Sequence, residues 1–215
     1  MQVHRRMLPA WQQLCAAAEA NGFKLQMVSA YRSFSRQLTI WNDKAAGRRP
    51  LLDDTGKALD VKLDEARLLA AIMRWSAVPG LSRHHWGSDV DVFDAAQMPI
   101  EQVQLIPAEV EGDGPCAALH EWLTEQIANN CSFGFFRPYQ FDCGGIAPEL
   151  WHLSYLPVAV QMERQLSVEV MLDIWRQHDV ALLQPLVQQL EKIWPLYVQL
   201  DYSCQPQWVV DALQT

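Results

Sequence analysis

The stretch "SRHHWGSDVDVF" (residues 82–93) decides how the rest of this 215-residue chain is read. Two adjacent histidines, His84 and His85, are followed by Gly87 and by two aspartates, Asp89 and Asp91, set among Val90, Val92 and Phe93. The alternation after Gly87 is the period of a strand with one polar face. A core strand needs no paired carboxylates, and a solvated loop has no use for the apolar residues around them. The combination reads as a candidate metal site.

Working outward, the chain mixes helices and strands. Met7, Trp11, Leu14 and Ala18 fall at helical spacing, and Asn21-Gly22 ends that helix. "FKLQMVSAY" reads as a strand ending near Ala30. "SFSRQLTIWNDKAAG" reads as a helix with Ser33 or Ser35 as N-cap, and "RRPLLDDTGKALD" (48–60) as a loop. "DEARLLAAIMRWSAV" is a helix closed by Pro79-Gly80. Beyond the central strand, "VQLIP" has the composition of a short strand, "CAALHEWLTEQIANN" of an amphipathic helix, and "GGIAPELWHLSYL" of a turn leading into a strand. From about residue 167 the chain is helical and carries none of the polar constellation. There is no βαβ rhythm and no glycine-rich phosphate loop. The fold class is therefore α+β, a small antiparallel sheet carrying the site and flanked by helices, with a C-terminal helical extension.

Composition narrows the function. Half the residues are hydrophobic, enough for a sizeable core, and nine are tryptophan. A net charge of −8 with no basic block argues against nucleic acid as the main partner. No run approaches the roughly 18 apolar residues of a membrane span. The N-terminal stretch reads as a folded helix rather than a signal core, because Gln12, Gln13 and Glu19 interrupt it. The five cysteines, Cys15, Cys116, Cys131, Cys143 and Cys204, form no C-x-x-C pair, so neither a cysteine zinc knuckle nor a disulfide framework is expected. Oligomeric state is not legible.

Catalytic zinc takes three protein ligands and keeps one position open. One segment offers His84 or His85 with Asp89 or Asp91; a second, "PELWHL", offers Glu149 and His152. Two histidines, one aspartate and a nearby glutamate meet the needs of zinc hydrolysis.

Three motifs carry a resemblance. The first is Ser-x-His-x-x-Gly-x-x-x-Asp, present as Ser82, His84, Gly87 and Asp91; the second is Glu-x-Trp-His, present as Glu149, Trp151 and His152. The third is Tyr-Arg-Ser with a Gln five residues after the Arg, present as Tyr31, Arg32, Ser33 and Gln37. Together, in this order, they resemble the M15-type zinc D-Ala-D-Ala carboxypeptidases, a group that also takes in lysostaphin-like peptidases and the hedgehog domain. The resemblance implies one zinc per chain held by His84, Asp91 and His152, with His85 not a ligand and Gly87 giving the backbone room to turn into the strand. It implies Glu149 as general base and later acid. Arg32 then either stabilises the oxyanion or clamps the substrate's terminal carboxylate, with Gln37 and Ser82 adding hydrogen bonds to that carboxylate. Tyr31, Trp86 and Trp151 are read as wall and packing residues, with Trp151 facing the core. Asp89 departs from the pattern, which commonly has a small residue there; it either orients a ligand histidine from behind or caps a turn at the surface.

The resulting expectation is a zinc peptidase domain over 1–166 with a helical extension over 167–215 packed on it. Its substrate would be a peptidoglycan stem peptide or muropeptide, cut at the bond to terminal D-Ala by a D,D- or L,D-carboxypeptidase. The alternatives are a peptidoglycan endopeptidase, a non-catalytic zinc-binding module, and a helical interaction protein working through its tail. The substrate class implies the periplasm or cell wall, whereas the lack of a signal and the odd cysteine point to the cytoplasm.

Overall fold

Helix α1 (Leu8–Ala20) carries Pro9 in its first turn, where no N–H is needed, and ends at Asn21 before Gly22 at φ 87°. The computed structural model, which describes residues 1–59 and 62–213, continues with strand β1 (Leu25–Ser29) and helix α2 (Phe34–Ala45). Ser33 is the cap of α2, its hydroxyl accepting from the Arg36 N–H at 3.2 Å. Helix α3 (Glu65–Trp75) is capped in the same way by Asp64. The last residue of the loop read over 48–60 and the final two of the chain lie outside the described residues.

A single 3-10 turn, Arg83–Trp86, delivers the chain from α3 to strand β2 (Asp89–Asp94). Gly87 ends the turn at φ 68°, and a Cβ there would meet the His4 amide nitrogen at 3.1 Å. His4 donates to the Gly87 carbonyl at 2.8 Å, so the N-terminus is tied to this turn. Short helix α4 (Pro107–Val110) and helix α5 (Ala117–Ala128) precede strands β3 (Phe135–Phe136) and β4 (His152–Tyr155).

The four strands form one antiparallel sheet in the order β1-β2-β4-β3. Its register matters most at β2, where Asp91 lies opposite His152 and Asp89 opposite Ser154. Directly opposed residues share a face. One face therefore carries Asp89, Asp91, His152 and Ser154. Val90, Val92 and Leu153 point the other way, into a core built with Leu14 and Ala18 of α1 and Leu119 and Leu123 of α5. The β1–β2 ladder shifts register between Met27 and Ser29, and this irregularity sets Ser29 opposite Asp91.

The C-terminal stretch is a set of short helices: α6 (Leu156–Glu163), α7 (Val168–Arg176), α8 (Leu183–Gln188), α9 (Leu190–Tyr197) and α10 (Gln207–Leu213). A second core joins this stretch to α2 and α3: Trp41, Leu69, Ile72 and Met73 pack with Met171, Trp175, Leu186 and Ile193. The two indoles also bind backbone, Trp41 Nε1 donating to the Ala181 carbonyl at 2.8 Å and Trp175 Nε1 to that of Pro79 at 2.7 Å.

Two expectations from sequence need correction. "VQLIP" is no strand: Leu105 sits at φ 58°, and the Glu109 carboxylate accepts the N–H groups of Gln104 and Leu105, each at 2.8 Å. A buried side chain thus takes the place of a ladder partner. Tyr31 is 48% exposed and does not line the cavity described next.

Candidate active site

A cavity of about 220 Å3 opens beside the polar face of the sheet, lined among others by Arg32, Ser82, His84, Asp91, Glu149 and His152. Three elements meet there. The chain leaving β1 brings Arg32, the 3-10 turn before β2 brings Ser82 and His84, and the turn into β4 brings Glu149 and His152. The pieces are stitched by backbone: Arg32 N–H donates to the His84 carbonyl at 3.1 Å, and His152 N–H to that of Glu149 at 3.1 Å.

His84, Asp91 and His152 are all buried, and each offers a ligand atom within 4.8 Å of those of the other two. The ring nitrogens are already sorted. His84 Nδ1 faces the Ala30 carbonyl at 3.0 Å, which leaves Nε2 pointing at Asp91 Oδ2, 3.3 Å away. His152 Nε2 faces Asp89 Oδ1 at 3.0 Å, which leaves Nδ1 3.4 Å from Asp91 Oδ1 and 3.3 Å from Glu149 Oε2. Asp91 Oδ1 and His152 Nδ1 are buried yet make no hydrogen bond among the described residues. Orphaned buried polar atoms are costly. A cation between them and His84 Nε2 would satisfy both, and two imidazoles with one carboxylate is a donor set suited to zinc. The residues therefore fit a zinc ion.

The electrostatics agree. Burial alone would raise the Asp91 carboxyl, but the His84 imidazole, and after it His152 and Arg32, hold it below the usual carboxylate range. Burial also opposes charge on His152, yet the hydrogen bond to Asp89, the nearby Glu149 carboxylate and the charge of Asp91 win, and its pKa is pushed up to about 10. His85, next along the chain, contributes nothing to this cluster. Its Nε2 accepts from the Gly80 N–H at 3.0 Å and its Nδ1 lies 2.6 Å from the Arg32 carbonyl.

The remaining expected residues divide. Ser82 is buried and lines the cavity. Arg32 lines it too, one Nη1 hydrogen going to Gln37 Oε1 at 2.9 Å and one Nη2 hydrogen to Ser29 Oγ at 3.3 Å. Gln37 is fully buried behind Arg32, its amide nitrogen donating to the Ala77 carbonyl at 2.7 Å, and it does not line the cavity. Trp151 is buried with Phe93 and stacks on Trp75, while also forming part of the cavity wall. Trp86 lies under the Arg83 guanidinium instead.

Lys44 and Tyr139 are among the lining residues that the sequence does not reveal. Lys44 donates to Ser76 Oγ at 2.6 Å, and burial pushes its pKa down to about 8. The Tyr139 ring packs edge-on against His152 with 5.1 Å between centroids. Neither belongs to a motif. Lys44 stands three residues after the buried Trp41 on α2, the only signal that placed it near the interior.

The model of the family of D-alanyl-D-alanine carboxypeptidases named VanY matches residues 1–158. The chain belongs to this VanY D-alanyl-D-alanine carboxypeptidase family. It is 34% identical over 124 residues to an uncharacterized protein of Haemophilus influenzae, covering 56% of this chain and 92% of that one. It is 30% identical over 156 residues to a D-alanyl-D-alanine carboxypeptidase of Enterococcus faecalis, covering 71% of this chain and 48% of that one. The match thus spans about half the length of the enterococcal protein. Among solved structures, VanYB in complex with D-alanine-D-alanine superposes with a TM-score of 0.51 at 26% identity, over 80% of this chain and 82% of that one. A mutant VanY from a VanB-type vancomycin resistance cassette, in complex with Zn(II), gives 0.49 at 27% identity, over 76% and 79%.

Proposed function

We propose that this chain is a zinc-dependent carboxypeptidase that hydrolyses the bond to the terminal D-Ala of peptidoglycan stem peptides. The observation that carries the reading is the meeting of His84, Asp91, His152, Glu149 and Arg32 around one cavity. Family membership and the likeness to VanYB with its bound D-alanine-D-alanine support the substrate class.

In this reading His84 Nε2, a carboxylate oxygen of Asp91 and His152 Nδ1 hold the metal. A zinc ion so held supplies Lewis-acid polarisation of the scissile carbonyl and lowers the pKa of a water to about 7. Glu149, fixed by its backbone N–H on the Tyr139 carbonyl at 2.8 Å, takes a proton from the attacking water and returns it to the departing amine. A binding module without catalysis has no need of that carboxylate beside a complete ligand set.

Arg32 recognises the chain end. A guanidinium has five N–H donors; with two engaged by Gln37 and Ser29, three are left for a carboxylate. Gln37 acts by bracing Arg32. Ser82, on the cavity wall, supplies a hydroxyl to the same carboxylate.

The test compares a stem peptide ending in D-Ala with its C-terminal amide. A charge-assisted hydrogen bond contributes roughly 1.5–3 kcal/mol, so the amide should lose about 10- to 150-fold in kcat/KM. Arg32→Ala should lose a similar factor on the acid and little more on the amide. Equal cleavage of acid and amide by the unaltered protein would make it an endopeptidase, with Arg32 serving the oxyanion.

A further inference from the structure

Asp89 stands where the family resemblance has a small residue, and it is fully buried. Its Oδ1 accepts from Arg83 Nε at 2.8 Å and faces His152 Nε2 at 3.0 Å, while its Oδ2 accepts from Ser88 Oγ at 2.6 Å. Arg83 is held on every side. Its Nη2 donates to Ser154 Oγ at 2.8 Å and its Nη1 to Glu163 Oε2 at 3.1 Å, and its guanidinium lies 4.5 Å from the Trp86 ring centroid and 5.8 Å from that of Phe136. Glu163 in turn accepts from the Tyr202 hydroxyl at 2.6 Å. The other ligand histidine is supported differently, by the neutral carbonyl of Ala30.

We propose that Asp89 is a positioning residue for His152, with Arg83 as its brace. An imidazole binds a metal through one nitrogen, and the hydrogen bond at the other fixes both the tautomer and the rotation of the ring. Asp89 holds Nε2–H, so Nδ1 is presented toward Asp91 and His84. Arg83 keeps the carboxylate in place and compensates its burial, since an unpaired buried charge is strongly destabilising. A small residue at 89 would leave Arg83 Nε and His152 Nε2 without this acceptor. The inference rests on the reading of His84, Asp91 and His152 as metal ligands.

The test is metal affinity, read by competition with a chromophoric chelator, together with the visible spectrum of the Co(II)-loaded protein. Two variants are compared with the unaltered chain: Asp89→Asn, and Asp89→Ala combined with Arg83→Met, so that the Arg83 guanidinium is not left buried without Asp89 while Glu163 keeps its hydrogen bond from Tyr202. Both should bind zinc about 10- to 100-fold more weakly, with altered Co(II) bands and a metal-free fold unchanged by circular dichroism. Unchanged affinity and bands in the folded double variant would overturn the proposal. Should neither variant fold, the unaltered zinc-loaded protein decides. Its nitrogen-15 spectrum should show a solvent-protected Nε2–H on His152, and a His152 ring bound through Nε2 or lacking that proton would overturn it. His84→Ala, whose ring faces the Ala30 carbonyl and Asp91 rather than Asp89 or the Arg83 guanidinium, separates the two ideas. Zinc retained in His84→Ala defeats the ligand assignment itself, whereas zinc lost there but unaffected in the Asp89 variants defeats only the positioning role.

Discussion

His85 Nδ1 lies 2.6 Å from the carbonyl oxygen of Arg32, and the opposite nitrogen of the same ring accepts from the Gly80 amide at 3.0 Å. The histidine beside the candidate ligand is thus a peg between the turn that closes α3 and the residue that carries the cavity's guanidinium. His85→Ala should leave zinc content unchanged in elemental analysis. It should lower kcat/KM about 10- to 100-fold, because displacements near 1 Å at a positioned group cost that much.

The ligand assignment makes the opposite demand of its neighbours. His84→Ala and His152→Ala should each purify without zinc, against close to one ion per chain in the parent. Should His85→Ala strip the metal and His84→Ala spare it, the register of the motif is wrong by one residue.

Glu149→Gln keeps the size of the side chain and removes its basicity. Turnover should fall by about 10²–10⁴-fold with zinc still bound. Loss of zinc from this variant would make Glu149 a ligand and overturn its part in proton transfer.

Zinc affinity should depend steeply on pH. In the metal-free protein His152, with its pKa raised to about 10, is protonated at neutral pH. The ion must displace that proton to reach Nδ1. Affinity should therefore fall by about tenfold for each unit the pH drops below the raised pKa, and about one proton from this ring should be released on binding. Calorimetric titrations in buffers of differing ionisation enthalpy count the protons; a flat pH profile between 6 and 9 would contradict the assignment.

Gly145 reports on how the C-terminal helices are seated. A Cβ built there would lie 1.9 Å from the Leu196 carbonyl oxygen, a backbone atom that cannot swing aside. Gly145→Ala should cost about 1–3 kcal/mol, the usual range for overpacking, and lower the melting temperature accordingly. An unchanged melting temperature would show that the approach of these two segments is loose.

How far the sequence could be read followed the range of the interactions involved. The alternation of Asp89, Val90, Asp91 and Val92 announced a strand and its two faces, because a pleat writes its period into neighbouring residues. The choice between His84 and His85 did not follow from periodicity, since both sit in one 3-10 turn; the family motif supplied it. The partner of Asp89 was invisible for another reason. Arg83 is one of the motif's unspecified positions, and its hold on Glu163 spans 80 residues. "VQLIP" misled because its apolar, β-branched composition is that of a strand, while the carboxylate that cancels the strand, Glu109, lies outside the run. Strand β3, at two residues, is too short to leave any pattern.

The shared packing of Trp41, Leu69 and Ile72 with Met171, Trp175 and Leu186 bears on cooperativity. The family model stops at residue 158, but the apolar surface of α2 and α3 is completed only by what comes after it. Neither stretch closes that core alone, so the two should melt in one transition and share their slowest-exchanging amides. Helix α2 also carries Gln37, which braces Arg32. Heat or denaturant that loosens the last helices should then release Gln37 from Arg32 in that same transition.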